Sequence, residues 1–222
     1  MQVSHLSVQR NRMAHVDFDY LHFEPKLLEE RLPLVVYLHG SGHKGTSLAH
    51  LSKASLPTLL AEGLDLPAHV VCPLAKPGPG WLPHHVAIFI EEAIRIHNCD
   101  PLRIYLTGES MGGRGVFEVS YWSSQLLAAI VPICAFGIPN LAPWLKDLPT
   151  WMFHGSQDDV LPVDRSRDMY KALRREGAPV ELTELEGQGH AIAASVYDRR
   201  EVWDWLFQQS RTSSPLEPVS GA

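Results

Sequence analysis

Gly108, Ser110 and Gly112 stand as G-x-S-x-G in the run RIYLTGESMGGRGVFEV, between a stretch with strand character and one with helical periodicity. A serine on so tight a strand-to-helix turn is held out at the end of a sheet, and glycines two residues to either side remove the clashes that side chains there would cause. The chemistry this suits is attack by the hydroxyl on a carbonyl, with the acyl group carried on Ser110. The bland alternative is a tight turn with Ser110 as helix N-cap, which would need no chemical partners.

A hydroxyl at its ordinary pKa is a weak nucleophile, so a histidine must take its proton and an acid must hold that histidine in one tautomer. After Ser110 the only histidines are His154 and His190. His190 lies in LEGQGHAIA, a glycine-flanked loop between the last strand and the last helix, and can reach a sheet edge. His154 ends a strand in FHGSQDDVLP, where packing is the simpler reading. Behind it come Asp158 and Asp159, at a strand's carboxyl end, where open parallel sheets place their sites. One of them should be the acid, and the residues alone leave both open.

Acyl transfer also needs fixed donors for the oxyanion. The turn itself offers the backbone N–H of Met111, and the glycine-rich loop in YLHGSGHKGTS offers a second, assigned to Ser41. A phosphate-cradling loop would read G-x-x-x-x-G-K-[ST], which is absent, so nucleotide binding is not expected.

The elements that must position these groups follow from periodicity. Residues 2–10 and 14–22 alternate as two strands, with Asn11 and Arg12 as a hairpin turn. LVVYLH after Pro33 is continuously apolar, as expected of a strand buried on both faces of a parallel sheet. Further strands are expected at 69–73, 103–108, 128–134, 150–155 and 180–187, and helices at 84–97, 112–124, 163–176 and 193–209. Another helix lies around 48–62, which Pro57 must split or begin. Strands alternating with helices predict a mostly parallel, doubly wound α/β sheet. Residues 1–210 then form one domain, and the Pro-, Ser- and Gly-bearing segment 211–222 is expected to be a disordered tail.

Taken together, LHGSG, GESMGG, HGSQDDVLP and GQGH resemble the motif series of α/β-hydrolases, in particular the small carboxylesterase, phospholipase and acyl-protein thioesterase group and its predicted-peptidase and depolymerase-like relatives. The likeness spans about residues 33 to 207. It implies an α/β-hydrolase fold with antiparallel N-terminal strands and helices on both faces, with Ser110, Asp158 and His190 as triad and Ser41 and Met111 as oxyanion donors. The spacing H-G-x-x-D-x-x-[VL]-P of that group selects Asp158 over Asp159. Carboxylic ester hydrolysis is the expected activity; thioesterase or peptidase action, or a non-catalytic binding role, are the alternatives. The segment 136–148 is too short for a large cap, so an open site is expected, with Trp81, Phe136 and Trp144 as pocket walls. Glu109 places a carboxylate beside the nucleophile and would need partners if buried.

Composition bounds the rest. The 222 residues carry 19 basic against 25 acidic side chains, a formal charge of −6, with no basic run. Nucleic acid is therefore not an expected partner; a small-molecule ester is. No apolar run approaches the roughly 20 residues of a membrane span, and the N-terminus lacks the apolar core of a signal peptide, so a cytoplasmic location is expected. Cys72, Cys99 and Cys134 are too few and too scattered for a disulfide framework or a cysteine-rich zinc site. The twelve histidines include no H-E-x-x-H, so neither metal nor cofactor is expected.

Overall fold

A computed structural model describes residues 1–10, 14–26 and 31–212. Among them eight strands form one sheet: β1 (Gln2–Arg10), β2 (Ala14–Phe23), β3 (Leu34–Leu38), β4 (His69–Pro73), β5 (Ile104–Glu109), β6 (Ala129–Ile133), β7 (Thr150–Gly155) and β8 (Val180–Leu185). Their order is β1-β2-β4-β3-β5-β6-β7-β8. The pairs β1–β2 and β2–β4 are antiparallel and the rest parallel. The α/β-hydrolase fold expected above is the fold observed, and among the described residues no large cap interrupts it. The expected hairpin turn at Asn11 and Arg12 lies outside the described residues.

Alternation along the central strands sorts the core into two layers. Leu34, Val36 and Leu38 point to one face, where they meet Phe89 of α3 (Pro83–Ile96), Phe117 of α4 (Met111–Ser123) and Leu173 of α5 (Asp164–Arg175). Val35 and Tyr37 point to the other. There they meet Leu56 of α2 (Ser55–Glu62), Val196 of α6 (Ala193–Tyr197) and Trp203 of α7 (Arg200–Gln208). A strand apolar at every position therefore serves both layers.

Two boundaries depart from the periodicity, and at a third Pro57 stands at the beginning of a helix, one of the two expected alternatives. The segment 48–62 is two helices, α1 (Leu48–Leu51) and α2, with Pro57 in the first turn of α2, where its missing N–H has no intrahelical acceptor to lose. The helix expected over 193–209 is broken into α6 and α7 at Arg199, which is extended. Tyr197 is fully buried with its hydroxyl 2.9 Å from that of Thr107, and its carbonyl accepts the indole N–H of Trp203 instead of continuing one helix. Arg211, expected to open a disordered tail, is docked: its N–H donates to Leu102 O at 3.0 Å and its guanidinium reaches the carbonyls of Ser124 and Leu127. Residues 213–222 lie outside the described residues.

From β3 the chain crosses to β4 on one side, whereas β5 and its successors build the other side. The crevice where an open α/β sheet builds its site should therefore open at the carboxyl ends of β3 and β5. Those ends are the loop holding Ser41 and the turn holding Ser110. No helix among the described residues is long and apolar enough to cross a membrane.

Candidate active site

Ser110 sits between β5 and α4 at φ 55° and ψ −117°, a left-handed backbone that a non-glycine residue holds at a cost of about 1–3 kcal/mol. Its N–H donates to Ile133 O at 2.9 Å, pinning the turn to the end of β6. The flanking glycines are required by close approach. A Cβ on Gly108 would stand 2.6 Å from Leu38 O, and one on Gly112 would run into the same carbonyl. The Ser110 side chain makes no capping hydrogen bond, which removes the N-cap alternative and leaves the hydroxyl free to act.

Met111 is the first residue of α4, and Ser41 the first of a short 3₁₀ helix, Ser41–His43. N–H groups at such positions have no acceptor within their own helix and can serve a ligand. The loop carrying Ser41 is fastened by His39, a residue with a role the motif reading did not single out. His39 Nδ1–H donates to Gly40 O at 2.7 Å, while Nε2 accepts the N–H of Ala75 at 3.0 Å. That pairing requires the neutral ring, and burial lowers its pKa to about 4.

A pH dependence of stability follows. Between about pH 6.5 and 4 the unfolded chain binds a proton at His39 that the folded chain refuses, so this stability is present above pH 6.5 and lost as pH falls through the window. His22 and His97, lowered by burial to about 3 and about 4, act in the same direction. Melting temperature should fall steadily over that range in wild type and less steeply in His39→Gln. A flat wild-type profile would contradict the assignment.

Asp158 is buried on the loop after β7, and His190 is half-buried on the loop after β8. His190 Nδ1–H donates to Asp158 Oδ2 at 2.7 Å, which leaves Nε2 as the ring's lone-pair nitrogen. Asp158 Oδ1 accepts the N–H groups of Val160 and Leu161 at 3.0 and 2.8 Å. Burial opposes the Asp158 charge, but the N–H of Leu161, His190 and the N–H of Val160 outweigh it and hold the pKa below the usual value. Asp159 is exposed. The Cys134 thiol, one residue past β6, donates to His190 O at 3.3 Å. The end of β6 thus ties the histidine loop and the Ser110 turn to one edge.

His154, read as a packing residue, is fully buried behind Asp158. Its Nε2 lies 2.8 Å from Leu161 O and 3.1 Å from Asp158 Oδ2, and its Nδ1 lies 2.7 Å from Ser166 Oγ. Glu109 has the partners it needs: it accepts the Tyr37 hydroxyl at 2.6 Å and the Ser55 hydroxyl at 2.7 and 2.6 Å. It binds β5 to β3 and α2 beneath the turn. Burial first, and the Glu109 charge second, push the Tyr37 phenol well above its ordinary value.

The three expected pocket walls fall in different places. Phe136 is half-buried just past β6, under the Arg114 guanidinium at 5.5 Å from its ring centre. Trp81 is turned inward: it is buried, donates its indole N–H to His39 O at 3.1 Å and packs on Gly115. Its loop still flanks the site through Gly80, which lies against Met111. Trp144 is exposed, beside Leu127 and Arg211 at the amino edge of the sheet. The connection from the end of β6 must descend the whole sheet to start β7, so its last residues arrive on the side away from Ser110.

Residues 138–213 match the model of the prolyl oligopeptidase family. The chain is 37% identical over 82 residues to an acyl-protein thioesterase 1 homologue of Dictyostelium discoideum, covering 34% of this chain and 36% of that protein. It is 21% identical over 154 residues to a bifunctional acetylxylan esterase/xylanase of Neocallimastix patriciarum, covering 55% of this chain and 23% of that one. The chain thus spans only about a quarter to a third of these curated relatives. A crystal structure of a thermostable esterase superposes with a TM-score of 0.77 at 30% identity, over 94% of this chain and 63% of that one. The switch-point site, the strained serine turn and these matches agree: the chain is a member of the α/β-hydrolase superfamily.

Proposed function

We propose that the chain is a serine hydrolase that cleaves carboxylic esters through an acyl-enzyme on Ser110. The observation carrying this reading is the 2.7 Å bond from His190 Nδ1–H to the buried Asp158 carboxylate, on the edge where Ser110 is held in a strained turn. His190 Nε2 takes the Ser110 proton as Oγ attacks the ester carbonyl. Asp158 keeps the ring in the tautomer that can do so and stabilises the imidazolium. The N–H groups of Ser41 and Met111 receive the developing oxyanion. His190 returns the proton to the leaving alcohol, and water then repeats the sequence in reverse to free Ser110 and the acid. Residues 1–212 act as one domain in this reading, and no cofactor enters it.

Acyl-thioester hydrolysis would use the same groups, and the match to an acyl-protein thioesterase homologue favours it as the second reading. An amide needs stronger protonation of its leaving group, which puts peptidase action third. A fluorophosphonate probe should label one serine, Ser110. Side-by-side rates on p-nitrophenyl esters, acyl-thioesters and aminoacyl anilides should then favour the esters. Failure to label overturns the serine mechanism, and fastest turnover of thioesters or anilides overturns the ester assignment alone.

A further inference from the structure

At the other edge of the sheet, away from Ser110, three histidines from distant parts of the chain converge. His22 comes from β2, His69 from the first position of β4, and His97 from the C-terminal cap of α3. His22 and His69 are 47 residues apart in sequence, so no local spacing announces the cluster. His22 is buried, and the other two are half-buried.

We propose that His22, His69 and His97 form a binding site for a divalent transition metal of the zinc type, with solvent or the nearby Glu24 carboxylate in the fourth position. Nitrogens bound tetrahedrally at about 2.0–2.1 Å from zinc lie about 3.3 Å apart. His22 Nε2 and His69 Nδ1 already stand 3.1 Å apart. One nitrogen from each of the three rings falls within a set whose members all lie within 4.8 Å of one another. Closing it requires the His22 and His97 rings, whose centroids now lie 3.9 Å apart, to turn so that their nitrogens converge on one point.

The surroundings suit ligands rather than charged histidines. A metal requires neutral imidazole, and burial lowers all three pKa values, with repulsion from the neighbouring rings adding to it at His22 and His97, to about 3 for His22 and about 4 for His97. His97 Nε2 lies 3.2 Å from the Tyr20 hydroxyl. A metal held by Nδ1 would leave Nε2–H to donate to that hydroxyl, the usual arrangement behind metal-bound histidine. Glu24 acts on His69 in the opposite sense to burial, as a nearby negative charge would in supporting a bound cation.

The site would clamp β2 to β4 and to the end of α3, the place where the antiparallel pair joins the parallel sheet. Its role is structural, independent of the proposed acyl chemistry. Zn2+ added to chelator-stripped protein should bind at one equivalent by native mass spectrometry and raise the melting temperature by at least about 5 °C at a hundredfold excess over its dissociation constant. Co2+ in its place should give the intense visible bands of a tetrahedral centre. His69→Gln and His97→Gln, at the two half-buried positions, should each lose the equivalent and the thermal shift, with far-ultraviolet circular dichroism confirming that they fold. Absence of stoichiometric zinc in wild type overturns the proposal. So does zinc binding that survives both substitutions, as it would if the metal sat instead on Cys134, His154 and Asp158 or on the His84–His85 pair.

Discussion

Ser110→Ala should lower kcat/KM on p-nitrophenyl acetate by at least about 10³-fold, leaving only the oxyanion donors and binding, as serine-triad knockouts do. At 1.36 kcal/mol per tenfold, that is about 4 kcal/mol of transition-state stabilisation. Thermal stability should barely move. The Ser110 hydroxyl caps no helix, and alanine keeps the Cβ and therefore the same left-handed strain. A true N-cap would cost about 1 kcal/mol on loss of its hydroxyl, so the two roles separate in a paired measurement of rate and melting temperature. Activity within tenfold of wild type would remove Ser110 as nucleophile.

The second large effect concerns the acid. Asp158→Asn preserves shape but sets an amide where the His190 Nδ1–H and the N–H groups of Val160 and Leu161 now find an ionised acceptor. The histidine can satisfy the new amide group by moving its proton to Nε2, which abolishes its function as a base. A fall in kcat of at least about 10² is expected, together with a loss of stability, because the buried loop loses charge-assisted bonds. Asp159→Asn, at an exposed position, should change kcat by less than tenfold. The reverse order would transfer the role to Asp159. Two mild effects would leave neither as the acid.

Much of this site was legible in the linear chain, since its parts are local. G-x-S-x-G between a strand and a helix is recognisable because its residues are contiguous, although the close approach that demands both glycines comes in part from Leu38 O of β3. The H-G-x-x-D spacing selects Asp158 only through the family resemblance, since the residues alone left Asp159 open as well; the structure buries the first and exposes the second. Sheet composition was equally readable, as uninterrupted apolar runs separated by helical periodicity have few other ways to bury themselves.

What depended on packing between distant segments was not readable. The break between α6 and α7 follows from Tyr197 reaching Thr107 across the sheet, and no feature of 193–209 itself announces it. Trp81 and Trp144 look alike as aromatics ending Pro- and Gly-bearing loops. One is drawn inward by the carbonyl of His39, while the other is carried to the far edge by a connection that must return to the start of β7. The neutral tautomer of His39 is set by Gly40 and Ala75, and the cluster of His22, His69 and His97 exists only because the ends of β2 and α3 meet the start of β4. The order of the elements and the candidate reacting groups were readable from the linear chain, because periodicity and contiguous motifs extend over a few residues. The tertiary structure alone decided which side chains meet, because burial and hydrogen bonding between remote segments are settled only when the sheet closes around its core.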